Sequence, residues 1–193
     1  AIDKFSPEDL IPNETAIVMI TKDGYIKRLE PANFKAQGRG GKGVIGLTTK
    51  EEDIVELFFA ANTHSDVLFF TTRGKVFQLK AYDIPLASKT ARGQALVNFL
   101  EIESNEKVST VFPLDDLKNY SHLVMVTGHG TIKKVDISAF ANVRRSGLIA
   151  IKLKAQDELR WVTPSSGNDE VSLITAQGKS IRFSEKEVRS TGR

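Results

Sequence analysis

A hairpin pattern that occurs four times constrains the fold of this chain more than any other feature of its sequence. Each copy is an apolar run that ends in Thr-x-x-Gly and is followed by a second segment of alternating polarity. The glycines are Gly24, Gly74, Gly130 and Gly178, which stand 50, 56 and 48 residues apart. Glycine at this point suits a tight turn that needs a positive φ between two strands. The repeat therefore predicts a chain of hairpin-based units, of which the last is incomplete.

Two more strand candidates follow each of the first three hairpins. The earlier set covers residues 44–49, 95–100 and 148–153, and the later set covers residues 54–60, 108–114 and 159–163. Four strands in about fifty residues are typical of a propeller blade. We therefore predict an all-β, propeller-like fold with three blades and part of a fourth. The predicted single repeat domain, 1–193, has an approach segment at 1–16 and blade repeats at about 17–66, 67–122, 123–170 and 171–193.

One seven-residue stretch in the first repeat contains four glycines, two cations and no apolar side chain, so it cannot contribute to a core. Glycine lets a backbone approach a partner closely, and the cations attract an anion such as a phosphate backbone. A dinucleotide site would need a helix after these glycines, and a P-loop would need Ser or Thr after its lysine. We expect a phosphate-binding loop, and a solvated surface loop is the alternative. The stretch consists of Gln37, Gly38, Arg39, Gly40, Gly41, Lys42 and Gly43.

Cations recur at the same place in every repeat. Fifteen residues after the hairpin glycines stand Arg39, Lys89, Arg145 and Arg193. Charge is also segregated within a repeat, because residues 17–50 carry seven cations against two acids, whereas residues 51–65 carry four acids and no cation. Blades stacked in one orientation would bring the basic loops to a single edge as a continuous positive track. A set of separate solvated faces is the alternative.

The candidate nucleic-acid contacts outside the glycine-rich stretch fall into two groups. The first lies in the loops that follow the hairpins and contains Lys89, Arg92, Arg144, Arg145, Arg189 and Arg193. The second lies on the hairpins and contains Lys27, Arg28, Lys75, Lys133, Lys134, Lys179 and Arg182. The loop cations are the stronger candidates, because the alternation of a strand turns some hairpin cations away from a ligand.

The glycine-rich stretch and residues 21–28 resemble the box and the first hairpin of the C-terminal domains of DNA gyrase A proteins. The resemblance extends over almost the whole chain, with Gly38 at a position where the family commonly has Arg. It implies a β-pinwheel, a disc of propeller-like blades that exchange strands and bend DNA around a basic rim. The partners it implies are double-stranded DNA, the rest of the gyrase A protein and the gyrase B protein, in the bacterial cytoplasm.

The function implied by the resemblance is sequence-independent DNA wrapping that serves negative supercoiling by a type II topoisomerase. Two alternatives stay open. One is the corresponding domain of topoisomerase IV, which would wrap DNA more weakly. The other is a propeller that scaffolds proteins without DNA, for which aromatic or apolar loop tips would be expected.

No catalytic, metal or cofactor site is expected in this chain. It has no cysteine, and its three histidines suit turns or the surface. Tyr25, Tyr82 and Tyr120 lack the arginine and acidic neighbours that strand cleavage requires, so we expect them to pack. The carboxylates at 51–53 are predicted to form a solvated turn, and no apolar run has membrane-spanning length. Strand cleavage and ATP hydrolysis are therefore expected elsewhere in the complex.

Overall fold

The computed structural model describes residues 7–31 and 53–193, and the predicted all-β fold is confirmed there. Thirteen strands within these ranges are joined by loops and short 3₁₀ turns. No helix in the same ranges is long and apolar enough to cross a membrane. The strands are β1 Thr15–Thr21, β2 Tyr25–Leu29, β3 Val55–Asn62, β4 Asp66–Thr71, β5 Lys75–Lys80, β6 Gln94–Ala95, β7 Val108–Pro113, β8 His122–Thr127, β9 Ile132–Asp136, β10 Leu148–Ile149, β11 Leu159–Ser165, β12 Glu170–Ile174 and β13 Ser180–Ser184.

These strands form four antiparallel sheets, which we call blades 1 to 4 in chain order. Blade 1 has the order β3-β1-β2-β6 and blade 2 the order β7-β4-β5-β10. Blade 3 has the order β11-β8-β9, and blade 4 is the pair β12-β13. Strand β7 packs against both β3 and β11. The strands β3, β7 and β11 therefore lie at the inner edge of their blades, and β6 and β10 at the outer edge.

The outer strands of blades 1 and 2 each come from the next repeat. β6 pairs with β2 of blade 1, and β10 pairs with β5 of blade 2. This is the strand exchange that the resemblance implied. The strands predicted at 95–100 and 148–153 are shortened to two residues each, because the chain then turns inward and buries Leu96 and Ile151 between the blades. The third candidate of this set, 44–49, lies outside the described residues.

The Thr-x-x-Gly motif closes each hairpin with one repeated hydrogen bond. In all four blades the backbone amide four residues after the threonine donates to the threonine hydroxyl, over distances of 3.0 to 3.3 Å. The motif glycines have φ values between 73° and 83°, a conformation that glycine adopts without steric cost. The motif therefore specifies both the turn and the hydrogen bond that fixes it.

Blade 2 is buried on both faces. Val67, Leu68, Phe69 and Phe70 on β4 are all 0% exposed. Phe69 belongs to the apolar core between blades 1 and 2, and Phe70 belongs to the core between blades 2 and 3. A strand covered on both faces needs a continuous apolar run without alternation, which is what this segment of the sequence has.

A buried carboxylate connects each of the first three hairpin turns to the inner strand of its blade. Asp53, Glu106 and Asp157 are 3%, 5% and 7% exposed, and each stands two residues before the inner strand. Each accepts a hydrogen bond from the hairpin turn of its own blade. The prediction of a solvated turn at 51–53 is therefore wrong for Asp53, and the rest of that segment lies outside the described residues.

Candidate nucleic-acid interface

Three basic segments cross the outer edge of the blade that precedes them. In the first, the Ala87 amide donates to the Arg28 carbonyl of blade 1 at 2.9 Å. In the last, the Thr191 amide donates to the Lys134 carbonyl of blade 3, also at 2.9 Å. Equivalent hydrogen bonds thus hold both segments along the hairpin of the blade before. We call these segments rim loop 2, rim loop 3 and rim loop 4, and they cover residues 84–93, 140–147 and 188–193.

Two glycines let rim loops 2 and 3 approach the preceding blade closely. Gly93 and Gly147 have φ values of 88° and 78°. A Cβ atom on Gly93 would lie 2.4 Å from the Ile26 carbonyl oxygen, and a Cβ atom on Gly147 would lie 2.6 Å from the Phe77 ring. No side chain fits at either point. Both loops are therefore held directly against a hairpin of the neighbouring blade.

Rim loop 2 repeats the cation spacing of the glycine-rich stretch. Each segment ends in a glycine, which we call its closing glycine. One cation stands four residues before the closing glycine and another stands one residue before it: Lys89, Arg92 and Gly93 in rim loop 2, and Arg39, Lys42 and Gly43 in the stretch. Both closing glycines stand 19 residues after their hairpin glycine, whereas Gly147 stands 17 residues after its own. Rim loop 3 is therefore two residues shorter, and the predicted alignment of Arg145 with Lys89 shifts by two positions when it is counted from the closing glycine.

Arg92 is supported by an aromatic ring from the neighbouring repeat. Its side chain is exposed, and its guanidinium carbon lies 3.6 Å from the centre of the Tyr25 ring. Stacking of this kind orients a guanidinium while its N–H groups can still donate to a phosphate. Tyr25 is missing from the predicted site residues, because the contact depends on strand exchange, which sets Ala95 opposite Tyr25. No signal in the sequence pairs these two residues.

Most of the other loop cations that the sequence nominated point to the surface. Rim loops 3 and 4 expose four of them, Arg144, Arg145, Arg189 and Arg193. Lys89 is half-buried. Two hairpin cations of blade 4, Lys179 and Arg182, are also exposed, and Arg182 Nε donates to Glu170 Oε2 at 3.1 Å. The exposed loop cations lie on three successive segments that share the outer edge of the blades.

The hairpin cations of blade 1 point at protein backbone instead. Lys27 is 5% exposed, and its ammonium group donates to the carbonyls of Lys89 and Ala91 at 2.8 and 2.7 Å. Burial lowers the pKa of Lys27. Arg28 is half-buried, and its Nε donates to the Ile84 carbonyl at 3.2 Å. The hypothesis that these two side chains contact DNA directly does not fit their positions, because both charged groups are directed at rim loop 2.

The hairpin cations of blades 2 and 3 are occupied in a similar way. Lys134 is 6% exposed, and its ammonium group donates to the Glu185 carbonyl at 2.7 Å. The Lys133 ammonium group donates to the Ala150 carbonyl at 3.2 Å, and its pKa is lowered by burial and by the nearby Lys152. In blade 2, Lys75 Nζ lies 3.3 Å from a carboxylate oxygen of Glu103. As for Lys27 and Arg28, the hypothesis of direct DNA contact does not fit the buried Lys134.

The residues Gln37, Gly38, Arg39, Gly40, Gly41, Lys42 and Gly43 lie outside the described residues, so their predicted role stays a prediction. Within residues 7–31 and 53–193, no group of histidine and acidic side chains could hold a metal ion. In this part of the chain, the features that suit a ligand are the exposed cations of the rim loops and the ring under Arg92.

The sequence matches a known family along four segments. They are residues 15–62, 65–115, 121–166 and 169–193, and the matching family is the DNA gyrase C-terminal domain, a β-propeller. The chain is 44% identical over 191 residues to the DNA gyrase A protein of Halalkalibacterium halodurans, with 99% of this chain and 23% of that protein covered. It is 40% identical over 185 residues to the DNA gyrase A protein of Escherichia coli, with 96% of this chain and 21% of that protein covered. The chain therefore spans less than a quarter of the length of these relatives.

Solved structures of two related domains resemble the fold. The C-terminal domain of DNA topoisomerase IV superposes with a TM-score of 0.78 at 28% identity, covering 94% of this chain and 55% of that one. The DNA gyrase A C-terminal domain superposes with a TM-score of 0.69 at 27% identity, covering 93% of this chain and 58% of that one. The family match includes most of the chain, and each of its four segments contains the hairpin of one of the four blades. This chain belongs to the family of DNA gyrase C-terminal domains.

Proposed function

We propose that this chain binds double-stranded DNA without sequence preference and bends it around the outer edge of its blades. The observation that carries the proposal is the position of the exposed arginines. Arg92, Arg145 and Arg189 stand on three successive rim loops, and rim loops 2 and 4 extend along the hairpin of the preceding blade. A duplex that followed this edge would meet a cation at each blade, which suits a ligand with regularly spaced phosphates.

The chemistry of the rim favours phosphate contacts over base readout. The exposed cations predicted as DNA contacts on the three rim loops are all arginines. Their guanidinium groups can donate to phosphate oxygens whatever the base sequence of the DNA. Readout of bases would need a helix or a pair of strands that enters a groove. No helix of the described segments has the length for this, because each is a 3₁₀ turn of three or four residues. Binding through these guanidinium groups is therefore expected to depend on duplex geometry and salt and very little on sequence.

The energy of bending requires many such contacts. Smooth bending of a 20 to 30 base-pair site through a right angle costs up to about 6 kcal/mol. Single surface ion pairs contribute only about 0.5 kcal/mol each, which is too little for a few of them to offset that cost. Contacts that release counterions contribute more, and ten of them would give a slope of about −9 in a plot of log affinity against log salt concentration. A steep slope is therefore part of the proposal.

The glycine-rich stretch 37–43 has a separate role in this proposal. We infer that it fixes the last part of the bend and its handedness, so that a crossing of defined sign is presented for strand passage. Its two cations have the same spacing from the closing glycine as Lys89 and Arg92 in rim loop 2. Gly38 leaves it with one cation fewer than the common family pattern.

In the cell, the chain would act as part of a larger enzyme. We propose that it serves DNA gyrase in the bacterial cytoplasm, joined to the rest of the gyrase A protein and working with the gyrase B protein. The chain itself would be non-catalytic, with strand cleavage and ATP hydrolysis on other parts of that enzyme. This proposal rests on the family and on gyrase A relatives of which the chain spans less than a quarter.

Topoisomerase IV is the second candidate, and the superposition on its C-terminal domain with a TM-score of 0.78 favours it. The two functions differ in what happens to the linking number. A domain that wraps DNA with fixed handedness changes the linking number of a closed circle, whereas a domain that only holds DNA does not. The glycine-rich stretch favours the gyrase function.

The test is a ligation experiment with nicked circular DNA. The chain is bound at low and at moderate salt, the nick is sealed, the protein is removed and the topoisomers are separated. We expect a protein-dependent shift in linking number that decreases as salt rises. Binding in gel retardation without a shift would favour the topoisomerase IV function. If the affinity for DNA did not change with salt concentration, DNA binding through the rim would be overturned and a protein partner would be favoured.

A further inference from the structure

A buried ammonium group lies directly beneath rim loop 2. Lys27 on β2 is 5% exposed. Its Nζ atom donates to the carbonyls of Ala91 at 2.7 Å, Lys89 at 2.8 Å and, over a longer distance, Ser88 at 3.4 Å. An ammonium group has three donors, so all three are used on one short segment of one loop. The Lys27 side chain therefore holds the backbone of residues 88–91 in place.

The length of rim loop 2 explains why it needs this support. Rim loop 2 is two residues longer than rim loop 3, and three of its carbonyls turn inward towards β2. A carbonyl removed from water without a donor costs about 1–3 kcal/mol. The Ser88 carbonyl also accepts from the Ala91 amide. Without the ammonium group, the Lys89 and Ala91 carbonyls would therefore have to turn back to water, and the path of the loop would change.

Blade 2 provides a comparison within the same chain. Phe77 occupies the position in β5 that Lys27 occupies in β2, since each pairs with the equivalent residue of the central strand: Phe69 with Phe77, and Met19 with Lys27. The Phe77 ring packs against Gly147 of the shorter rim loop 3. A hydrophobic side chain is thus sufficient under the shorter loop. In blade 1 this position is a lysine, and the longer loop presents three carbonyls to it.

The charge of Lys27 is compensated by carbonyl dipoles. Among the described residues, no ion pair involves Lys27, and the lowered pKa of its ammonium group has burial as its cause. The same β2 strand carries Tyr25, which supports the guanidinium of Arg92. One strand of blade 1 therefore holds both the backbone of rim loop 2 and its exposed arginine.

We propose that Lys27 is a positioning residue for DNA at the rim: its ammonium group holds the backbone of residues 88–91 so that Lys89 and Arg92 engage neighbouring phosphates together. Lys27 itself touches no DNA. The inference rests on the proposed function, because it assigns how one rim loop performs it. It predicts that loss of one buried charge removes more than one phosphate contact.

The salt dependence of DNA binding tests this directly. With Lys27 in place, R92A alone should reduce the magnitude of the salt slope by about one, as expected for one phosphate contact. K27M should reduce it by about two, since both cations of the loop lose their position. The matched control is K22M, which removes one charge from an exposed side chain on the same hairpin and should leave the slope unchanged. In the K27M background, R92A should change it no further.

The order of the loop gives a readout without DNA. The Ala87 and Ala91 amides of rim loop 2 are hydrogen-bonded to the Arg28 and Ser88 carbonyls. Hydrogen exchange at these two amides should accelerate at least tenfold in K27M, a change that can be resolved in a locally opening loop, and the blade 3 hairpin should keep its protection. If K27M does not fold, the measurement is made on the unmodified chain. The Lys27 ammonium protons should then be visible by ¹⁵N NMR as a slowly exchanging group.

Each outcome separates this inference from the proposed function. Failure of both the unmodified chain and K22M to bind DNA would overturn the proposed function and the inference with it. DNA binding by K27M with the slope and the amide protection of K22M would overturn the inference alone. A rapidly exchanging Lys27 ammonium group in the unmodified chain would also overturn it.

Discussion

The guanidinium of Arg92 lies 3.6 Å from the centre of the Tyr25 ring, although the two residues belong to different repeats. Strand exchange makes the contact possible, because β6 from the second repeat pairs with β2 from the first. The contact couples the hairpin of blade 1 to the cation of rim loop 2. It therefore gives the aromatic residue a role in the presentation of charge as well as in packing.

The first prediction concerns this ring. Replacing Tyr25 by Leu should weaken DNA affinity about two- to fivefold, because a cation–π contact at an exposed site contributes about 0.5–1 kcal/mol. Y25F is the matched control, since it keeps the aromatic face and loses only the hydroxyl, and it should bind like the unmodified chain. Affinities measured by fluorescence anisotropy at one fixed salt concentration check both. Equal losses in Y25L and Y25F would show that the hydroxyl contributes the binding energy and the ring face does not.

The hairpins and inner strands could be predicted from the sequence because their signals are local. Thr-x-x-Gly contains both the hydroxyl that accepts the amide and the glycine that adopts a positive φ. The run Val67, Leu68, Phe69 and Phe70 is apolar because neighbouring blades cover both faces of β4. Strand β3, predicted at 54–60, has the alternating partial burial and exposure of a strand covered on one face.

The exchanged strands and the direction of the hairpin cations could not be predicted in the same way. Lys27 and Lys134 look like surface charges on alternating strands, yet both are buried under a loop that comes from the next repeat. Asp53 looks like part of a solvated acidic turn, yet it accepts the Asp23 amide at 3.1 Å. These outcomes depend on which repeat a segment packs against, and spacing along the chain does not contain that information.

The second prediction concerns the closing glycine of rim loop 2. G93A should destabilise the fold by about 3 kcal/mol, because its φ of 88° is unfavourable for alanine and its Cβ would lie 2.4 Å from the Ile26 carbonyl oxygen. G24A is the matched control. Gly24 has a similar φ of 83° but no heavy atom near its Cβ position, so its cost should be about 1 kcal/mol. Urea unfolding measures both, and equal costs would mean that the loop moves away from β2 freely.

The third prediction concerns acid sensitivity. Burial of Asp157 would raise the pKa of its carboxyl, but hydrogen bonds from Thr127, His129 and Glu158 outweigh burial and lower it. Burial of Glu185 is likewise outweighed, mainly by hydrogen bonds from the Asp169 amide and the Ser165 hydroxyl, so its pKa is also lowered. Both carboxylates therefore stabilise the fold above the ordinary carboxyl pKa of about 4. This stabilisation is lost as pH falls through the lowered values.

Urea unfolding between pH 7 and pH 2.5 checks the acid prediction. The free energy of unfolding should fall as the pH drops below about 4, because the unfolded chain then binds more protons than the folded one. D157N should be less stable at pH 7 and should lose less stability on acidification, since one of the two carboxylates is gone. If D157N kept the full pH dependence of the unmodified chain, Asp157 would be excluded as a source of that dependence.

The last prediction separates binding from handedness. R39A/K42A and K89A/R92A each remove two cations at the same spacing before a closing glycine, so each pair should reduce the magnitude of the salt slope by about two. If the glycine-rich stretch fixes the handedness of the bend, R39A/K42A should also abolish the change in linking number while most of the DNA affinity remains. K89A/R92A should lower affinity to the same extent but reduce the linking-number change only in proportion to that loss, since its loop supplies phosphate contacts along the rim. Topoisomer separation and gel retardation on the same samples measure the two quantities. If R39A/K42A lost affinity and linking-number change in the same proportion, the stretch would contribute two further phosphate contacts and would not fix the handedness.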